Sequence, residues 1–169
     1  MNHGIKLKKA TMEDLGNIVS IYNNAIEEMN KNSINQWDHI YPNEKILKDD
    51  ILRGEMTLGE IDNSIASIFV INKECDEEYQ KGDWSCKTES YRVVHRLCVN
   101  PRFHNIGIGT NTMILIEEIL KNSGVEAIRL DAFSLNPYAL KIYENLGYVK
   151  VGVVKWRKGL FYLYEKNIR

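Results

Sequence analysis

VNPRFHNIGIGTNTMILIEEIL, residues 99–120, is the stretch around which this chain is organised. A strand ends at Val99-Asn100-Pro101, a short polar loop follows, and Gly107-Ile108-Gly109 opens a long apolar helix. Glycines at a strand-to-helix turn let backbone N–H groups approach a guest closely, and those groups carry the positive end of the helix dipole. The expected guest is a phosphate. A Gly-x-Gly pair also occurs at turns for steric reasons alone, so the anion reading needs support from the rest of the chain.

The chain of 169 residues, 44% of them hydrophobic, suits one domain spanning 1–169 with an ordinary buried core. A net charge of −1 predicts neither a nucleic-acid footprint nor a polybasic membrane patch. No apolar run approaches the roughly 20 residues of a membrane span. The opening MNHGIKLKKA has lysines but no apolar region behind them, so no secretory signal is expected. Cys75, Cys86 and Cys98 are an odd set without a CxxC pair, which points to a reduced, cytoplasmic compartment. The four histidines are scattered, and no metal site is expected.

Taken in order, Gly4 to Lys9 alternates as a short strand, and Thr11-Met12-Glu13-Asp14 has the pattern of a helix cap. Leu15, Ile18, Val19, Tyr22, Ile26 and Met29 follow at helical spacing. A second helix restarts at Tyr41-Pro42-Asn43 and runs to about Arg53, with Gly54 behind it. Met56–Ile61 and Ile65–Asn72 read as a hairpin turning at Asp62-Asn63-Ser64. Lys73–Ser90 is polar and acidic without usable period, a long loop of the kind that is functional or mobile. Tyr91–Val99 is a strand, the central helix runs from about Ile108 to Lys121, and Val125–Leu130 is a strand again. Asn136-Pro137 caps a helix ending before Gly147. Two last strands, Tyr148–Val154 and Leu160–Glu165, close the chain. The order β-α-α-β-β-β-α-β-α-β-β implies a mixed α/β (α+β) sheet of about seven strands, mostly antiparallel, with helices on both faces.

The strand HRLCVNP, the loop RFHNIGIG, the Asn-Pro-x-Ala helix and the closing Tyr-Glu-Asn-Leu-Gly-Tyr resemble the GNAT acetyltransferase superfamily. The resemblance covers essentially the whole chain in element order and is strongest from Tyr91 to Val154. The family's acyl-CoA loop reads Arg/Gln-x-x-Gly-x-Gly/Ala; here it is His104-Asn105-Ile106-Gly107-Ile108-Gly109, with both glycines in place and His104 departing from the usual Arg or Gln. The resemblance implies that Phe103, His104, Asn105, Ile106, Gly107, Ile108, Gly109 and Thr110 bind the diphosphate of coenzyme A. It implies that the Leu97-Cys98-Val99 backbone pairs with the pantetheine arm, that Asn136 contacts the cofactor, and that Tyr143 sits beside the sulfur.

Acyl transfer from a thioester to an amine requires an amine that has lost a proton, a donor for the oxyanion, and a proton for the departing thiolate. An alkyl amine titrates near pH ~10.4, so a base of suitable pKa helps. His95 matches a histidine used as base in the arylalkylamine branch, and Tyr143 is the expected acid. The amide of Leu97 or Val99 is the expected oxyanion donor. Simpler roles stand beside these: a hydrogen-bonded strand histidine, a core aromatic packed with Leu140, an N-cap, and packing for Cys98. Trp37, Tyr41 and Trp84 read equally as acceptor-pocket floor or as core. Glu74, Asp76, Glu77 and Glu78 attract a cationic amine or simply face water.

The reading is an N-acetyltransferase using acetyl-CoA and a primary amine of a small molecule or peptide, by direct transfer in a ternary complex. Polyamine, arylalkylamine, aminoglycoside, amino acid and protein N-terminus stay open as acceptors. A homodimer is the family's habit. The alternatives are a non-catalytic acyl-CoA sensor on the same fold and a nucleotide-binding protein. The loop lacks the Gly-Lys-Ser/Thr ending of a P-loop and has too few glycines for a dinucleotide turn.

Overall fold

A computed structural model describes residues 4–169. Strand β1 is Lys6–Lys9, helix α1 Leu15–Lys31 and helix α2 Glu44–Leu52; β2 (Met56–Ile61) and β3 (Ser64–Asn72) follow. Strand β4 is Tyr91–Val99, helix α3 Ile108–Asn122, strand β5 Ala127–Phe133 and helix α4 Pro137–Asn145. The chain closes with β6 (Val149–Trp156) and β7 (Gly159–Asn167). The seven strands form one mostly antiparallel open sheet in the order β1-β2-β3-β4-β5-β7-β6, with β4 and β5 parallel. The fold class and element order expected from the sequence are those observed. Among the described residues, no helix is long and apolar enough to cross a membrane.

The chain divides into two compact units. One is the chain to Ile71 with Arg96–Thr112; the other is Asn72–His95 with Met113–Arg169.

In the first unit the Thr11–Asp14 capping box forms, with Asp14 accepting from the Thr11 amide at 2.8 Å, ahead of a short 3-10 turn that leads into α1. Asn43, the last residue of Tyr41-Pro42-Asn43, caps α2: its side chain accepts from the Ile46 amide at 3.0 Å. The apolar stripes of α1 and α2 bury Ile18, Tyr22, Leu47 and Ile51 with Met56, Leu58, Ile68 and Val70 of the β2–β3 hairpin. Asp62 and Asn63 both take positive φ, 48° and 60°, as a tight two-residue hairpin turn demands. Gly59 is required by packing, because a Cβ there would run into Ser67 Oγ. That same hydroxyl accepts from Thr112 Oγ1 at 2.8 Å, so two fully buried small polar residues pin the first turns of α3 to β3.

In the second unit β5 runs to Phe133, three residues past the expected end. Its whole length pairs with β7, from Ala127↔Asn167 to Phe133↔Phe161. The segment 73–90, expected as a structureless loop, contains a 3-10 turn at Glu77–Lys81 and buries Tyr79 and Cys86. The buried Glu165 carboxylate accepts the amides of Ser85 (3.1 Å) and Cys86 (2.7 Å), and Tyr79 donates its hydroxyl proton to Asp131 (2.7 Å). Side chains from β5 and β7 hold this segment, which is why its own sequence carries no period.

Candidate active site

β4 pairs with β5 over three positions, Tyr91↔Ala127, Arg92↔Ile128 and Val93↔Arg129. Leu97 and Val99 lie beyond that ladder. Simple alternation places His95, Leu97 and Val99 on one face of the strand, but Arg96 interrupts it with a φ of 52°. Two adjacent valines, Val93 and Val94, are buried before the break and Cys98 after it. A left-handed conformation costs a non-glycine residue roughly 1–2 kcal/mol, so something must hold it.

The surrounding side chains do. Tyr22 donates its hydroxyl proton to the Arg96 carbonyl. The Arg96 guanidinium grips Asp50 with two hydrogen bonds, Nε to Oδ2 at 2.8 Å and Nη2 to Oδ1 at 2.7 Å, and donates to the Tyr41 hydroxyl at 2.8 Å. Arg53 adds a second cation to Asp50 at 2.9 Å. Asp50 is fully buried, and that burial pushes its carboxyl above the usual range against the pull of Arg96 and Arg53. This clamp was not read from the sequence. Its signal was an acid at Asp50 on the same helix face as Leu47 and Ile51, facing inward. Tyr41 therefore serves the clamp, and Trp37 is core, its ring 5.5 Å from that of Tyr22.

After β4, Asn100 anchors the chain at three points. Its amide and side chain donate to the Ala66 and Ile65 carbonyls (2.9 and 2.8 Å), and its side chain accepts from the Arg102 amide (3.1 Å). Pro101–Phe103 forms a 3-10 turn. The exposed residues Asn105 and Gly107 then adopt φ of 63° and 81°. The first bond of the next helix is Asn111 N–H to the Gly107 carbonyl at 3.0 Å, so the amides of Ile108, Gly109 and Thr110 stand ahead of the helical ladder. A left-handed step followed by a helix N-terminus is a concave set of N–H donors, which fits the diphosphate of coenzyme A. His104 turns back, with Nε2 3.2 Å from the Val99 carbonyl, and so braces the loop rather than extending from it. Cys98 is buried and its thiol is pushed up to about 12 by desolvation, which makes it an inert part of the strand.

In the second unit, Tyr143 on α4 is buried, its ring 5.8 Å from that of Tyr148 and 6.0 Å from that of Tyr164. Burial, with Asp131 and Tyr164 adding to it, raises its phenol well above the ordinary tyrosine range. The side chain of Asn136 accepts from the Ala139 amide at 3.2 Å, which caps α4. His95 is half-buried, with Nε2 2.8 Å from Asn72 Oδ1. Trp84 stacks on Tyr79 and lies under the Arg129 guanidinium, 4.5 Å from its ring centre. Among the described residues no cluster of three or more His, Cys, Asp or Glu is placed to hold a metal.

The fold is a seven-stranded sheet whose fourth strand takes a left-handed step at Arg96 and leads into a glycine-turned helix. The model of the acetyltransferase (GNAT) family matches residues 24–148, and the chain belongs to that family. An acetyltransferase of the GNAT family from Streptococcus agalactiae superposes with a TM-score of 0.85 at 23% identity, covering 99% of this chain and 97% of that one. A Staphylococcus aureus Mu50 protein assigned as an acetyltransferase gives 0.76 at 26% identity, over 96% and 99%. The PaiA N-acetyltransferase of Thermoplasma acidophilum, crystallised with coenzyme A, gives 0.71 at 16%, over 97% and 99%.

Proposed function

We propose that this protein is an N-acetyltransferase that moves an acetyl group from acetyl-CoA directly to a primary amine of a small molecule or peptide. The observation that carries the reading is the run of left-handed and unladdered backbone from Asn105 to Thr110, in a chain of this family. Within Phe103–Thr110 the main-chain N–H groups from Asn105 onward hold the diphosphate, the Phe103 and His104 amides being engaged by the Asn100 and Pro101 carbonyls. The Leu97–Val99 backbone holds the pantetheine arm as an added strand. Asn136 contributes a further cofactor contact besides its capping bond. The bound donor supplies a thioester.

The protein's own groups do the rest. His95 takes the proton that the ammonium form of the acceptor must lose. The Leu97 or Val99 amide donates to the developing oxyanion. Tyr143, whose burial keeps the phenol protonated, directs that proton at the leaving sulfur as a hydrogen bond. A thiol of reference pKa about 8.5 is a stronger acid than a tyrosine of about 10, so the phenol shares its proton with the departing thiolate, and the proton released by the amine balances the thiol formed.

The test is thermal unfolding with acetyl-CoA against ATP and NAD, followed by amine-dependent thiol release. A ligand at a hundredfold excess over its Kd stabilises the native state by about 2.7 kcal/mol. Stabilisation by acetyl-CoA alone, with thiol release on adding an amine, is expected. Stabilisation without turnover on a broad amine panel makes the protein an acyl-CoA sensor, and no stabilisation removes the cofactor assignment.

A further inference from the structure

Asn72 ends β3 and is half-buried. Its side-chain oxygen Oδ1 accepts the backbone N–H of Glu74 at 2.9 Å. A backbone N–H only donates, so this bond fixes which end of the amide is oxygen. That oxygen also lies 2.8 Å from His95 Nε2. An amide oxygen carries no hydrogen, so the proton in the contact must belong to Nε2. A neutral imidazole has one N–H, and the lone pair therefore sits on Nδ1.

We infer that Asn72 is a positioning residue that locks His95 as the Nε2–H tautomer, making Nδ1 the atom that takes up a proton. The inference rests on the reading of His95 as the base for its consequence, but not for its geometry. The chain from Glu74 amide to Asn72 oxygen to His95 is short and directional, and each link leaves one role for the next. A neutral amide also orients the ring without placing a negative charge beside it, unlike the carboxylate that often backs a histidine.

Ring nitrogen shifts of His95, read from long-range nitrogen–proton NMR spectra of the full chain in its neutral imidazole form, test this. The expected pattern is a pyrrole-type shift at Nε2 and a pyridine-type shift at Nδ1. Asn72→Ala is expected to move both shifts toward a tautomer average and to lower kcat about tenfold with coenzyme A affinity unchanged. Asn72→Asp, which keeps an acceptor oxygen in place, restores the Nε2–H pattern and stands in should the alanine variant fold poorly. A pyridine-type shift at Nε2 in the unmodified protein, or unchanged shifts in Asn72→Ala, overturns the inference. Full turnover in His95→Ala removes the base reading alone, because the shifts report the tautomer irrespective of turnover.

Discussion

In the proposed site the loop from Phe103 to Thr110 acts mainly through peptide N–H groups from Asn105 onward, whereas His95 and Tyr143 act through side-chain atoms whose protonation depends on what surrounds them. The loop's donors are set by dihedral angles: 63° at Asn105, 81° at Gly107, and a helix beginning at Ile108. The other pair is set by partners, Asn72 Oδ1 for the histidine and the Tyr148 and Tyr164 rings for the tyrosine. A backbone site tolerates changes of side chain that leave φ and ψ alone. In the proposed site, His104, where the family pattern has Arg or Gln, leaves the main-chain donors from Asn105 onward in place. A side-chain site has no such tolerance, since replacing one atom changes the chemistry.

The comparison is broken or sharpened most strongly at the clamp. Asp50→Ala leaves Arg96 buried without its anion and is expected to lower unfolding stability by about 3–5 kcal/mol, measured in urea. A loss under 1 kcal/mol would show that the left-handed step at Arg96 holds itself.

Next comes Tyr143→Phe, expected to reduce kcat about 100-fold while leaving the coenzyme A dissociation constant unchanged. The pH dependence has a definite sign. A phenol raised above its ordinary value keeps its proton longer, so no fall in rate due to Tyr143 is expected below pH ~10, the reference tyrosine value. Wild-type turnover in the variant ends the acid role.

Gly107→Val should do the opposite, weakening coenzyme A binding about tenfold by calorimetry while kcat at saturating donor stays close to wild type. A fall in kcat with unchanged affinity would place the loop on the chemical side of the comparison. The smallest effect is in thiol labelling at pH 8. Exposed Cys75 reacts, whereas Cys98, with its pKa near 12, stays unlabelled until the protein unfolds. Rapid labelling of Cys98 would mean that β4 opens in the native state.

The strand Tyr91–Val99 and the helix beginning at Ile108 were legible because apolar periodicity and glycine punctuation are local signals. The glycine loop was legible for the same reason. The left-handed step at Arg96 was not, since the carboxylate that grips its side chain is Asp50, 46 positions away, and nothing in YRVVHRLCV marks a left-handed residue. Asn72 looked like the last residue of a strand, and its bond to His95 spans 23 positions. Glu165 looked like an ordinary acid in an edge-proximal strand, yet it holds Ser85 and Cys86 across 80 and 79 positions. Local pattern gives elements; side-chain pairs far apart in the chain give the site its shape.

The left-handed step at Arg96 has a consequence for how such a protein changes over generations. A glycine at that position would keep the conformation by itself. With arginine there, the irregularity of the strand belongs jointly to Tyr22, Tyr41, Asp50 and Arg96. A substitution at Tyr22, Tyr41 or Asp50 removes a hydrogen bond from Arg96, so the step is held by all of them together. A glycine at position 96 would relieve the backbone yet leave the buried Asp50 without the guanidinium that grips it, so the step and the carboxylate are not released one at a time.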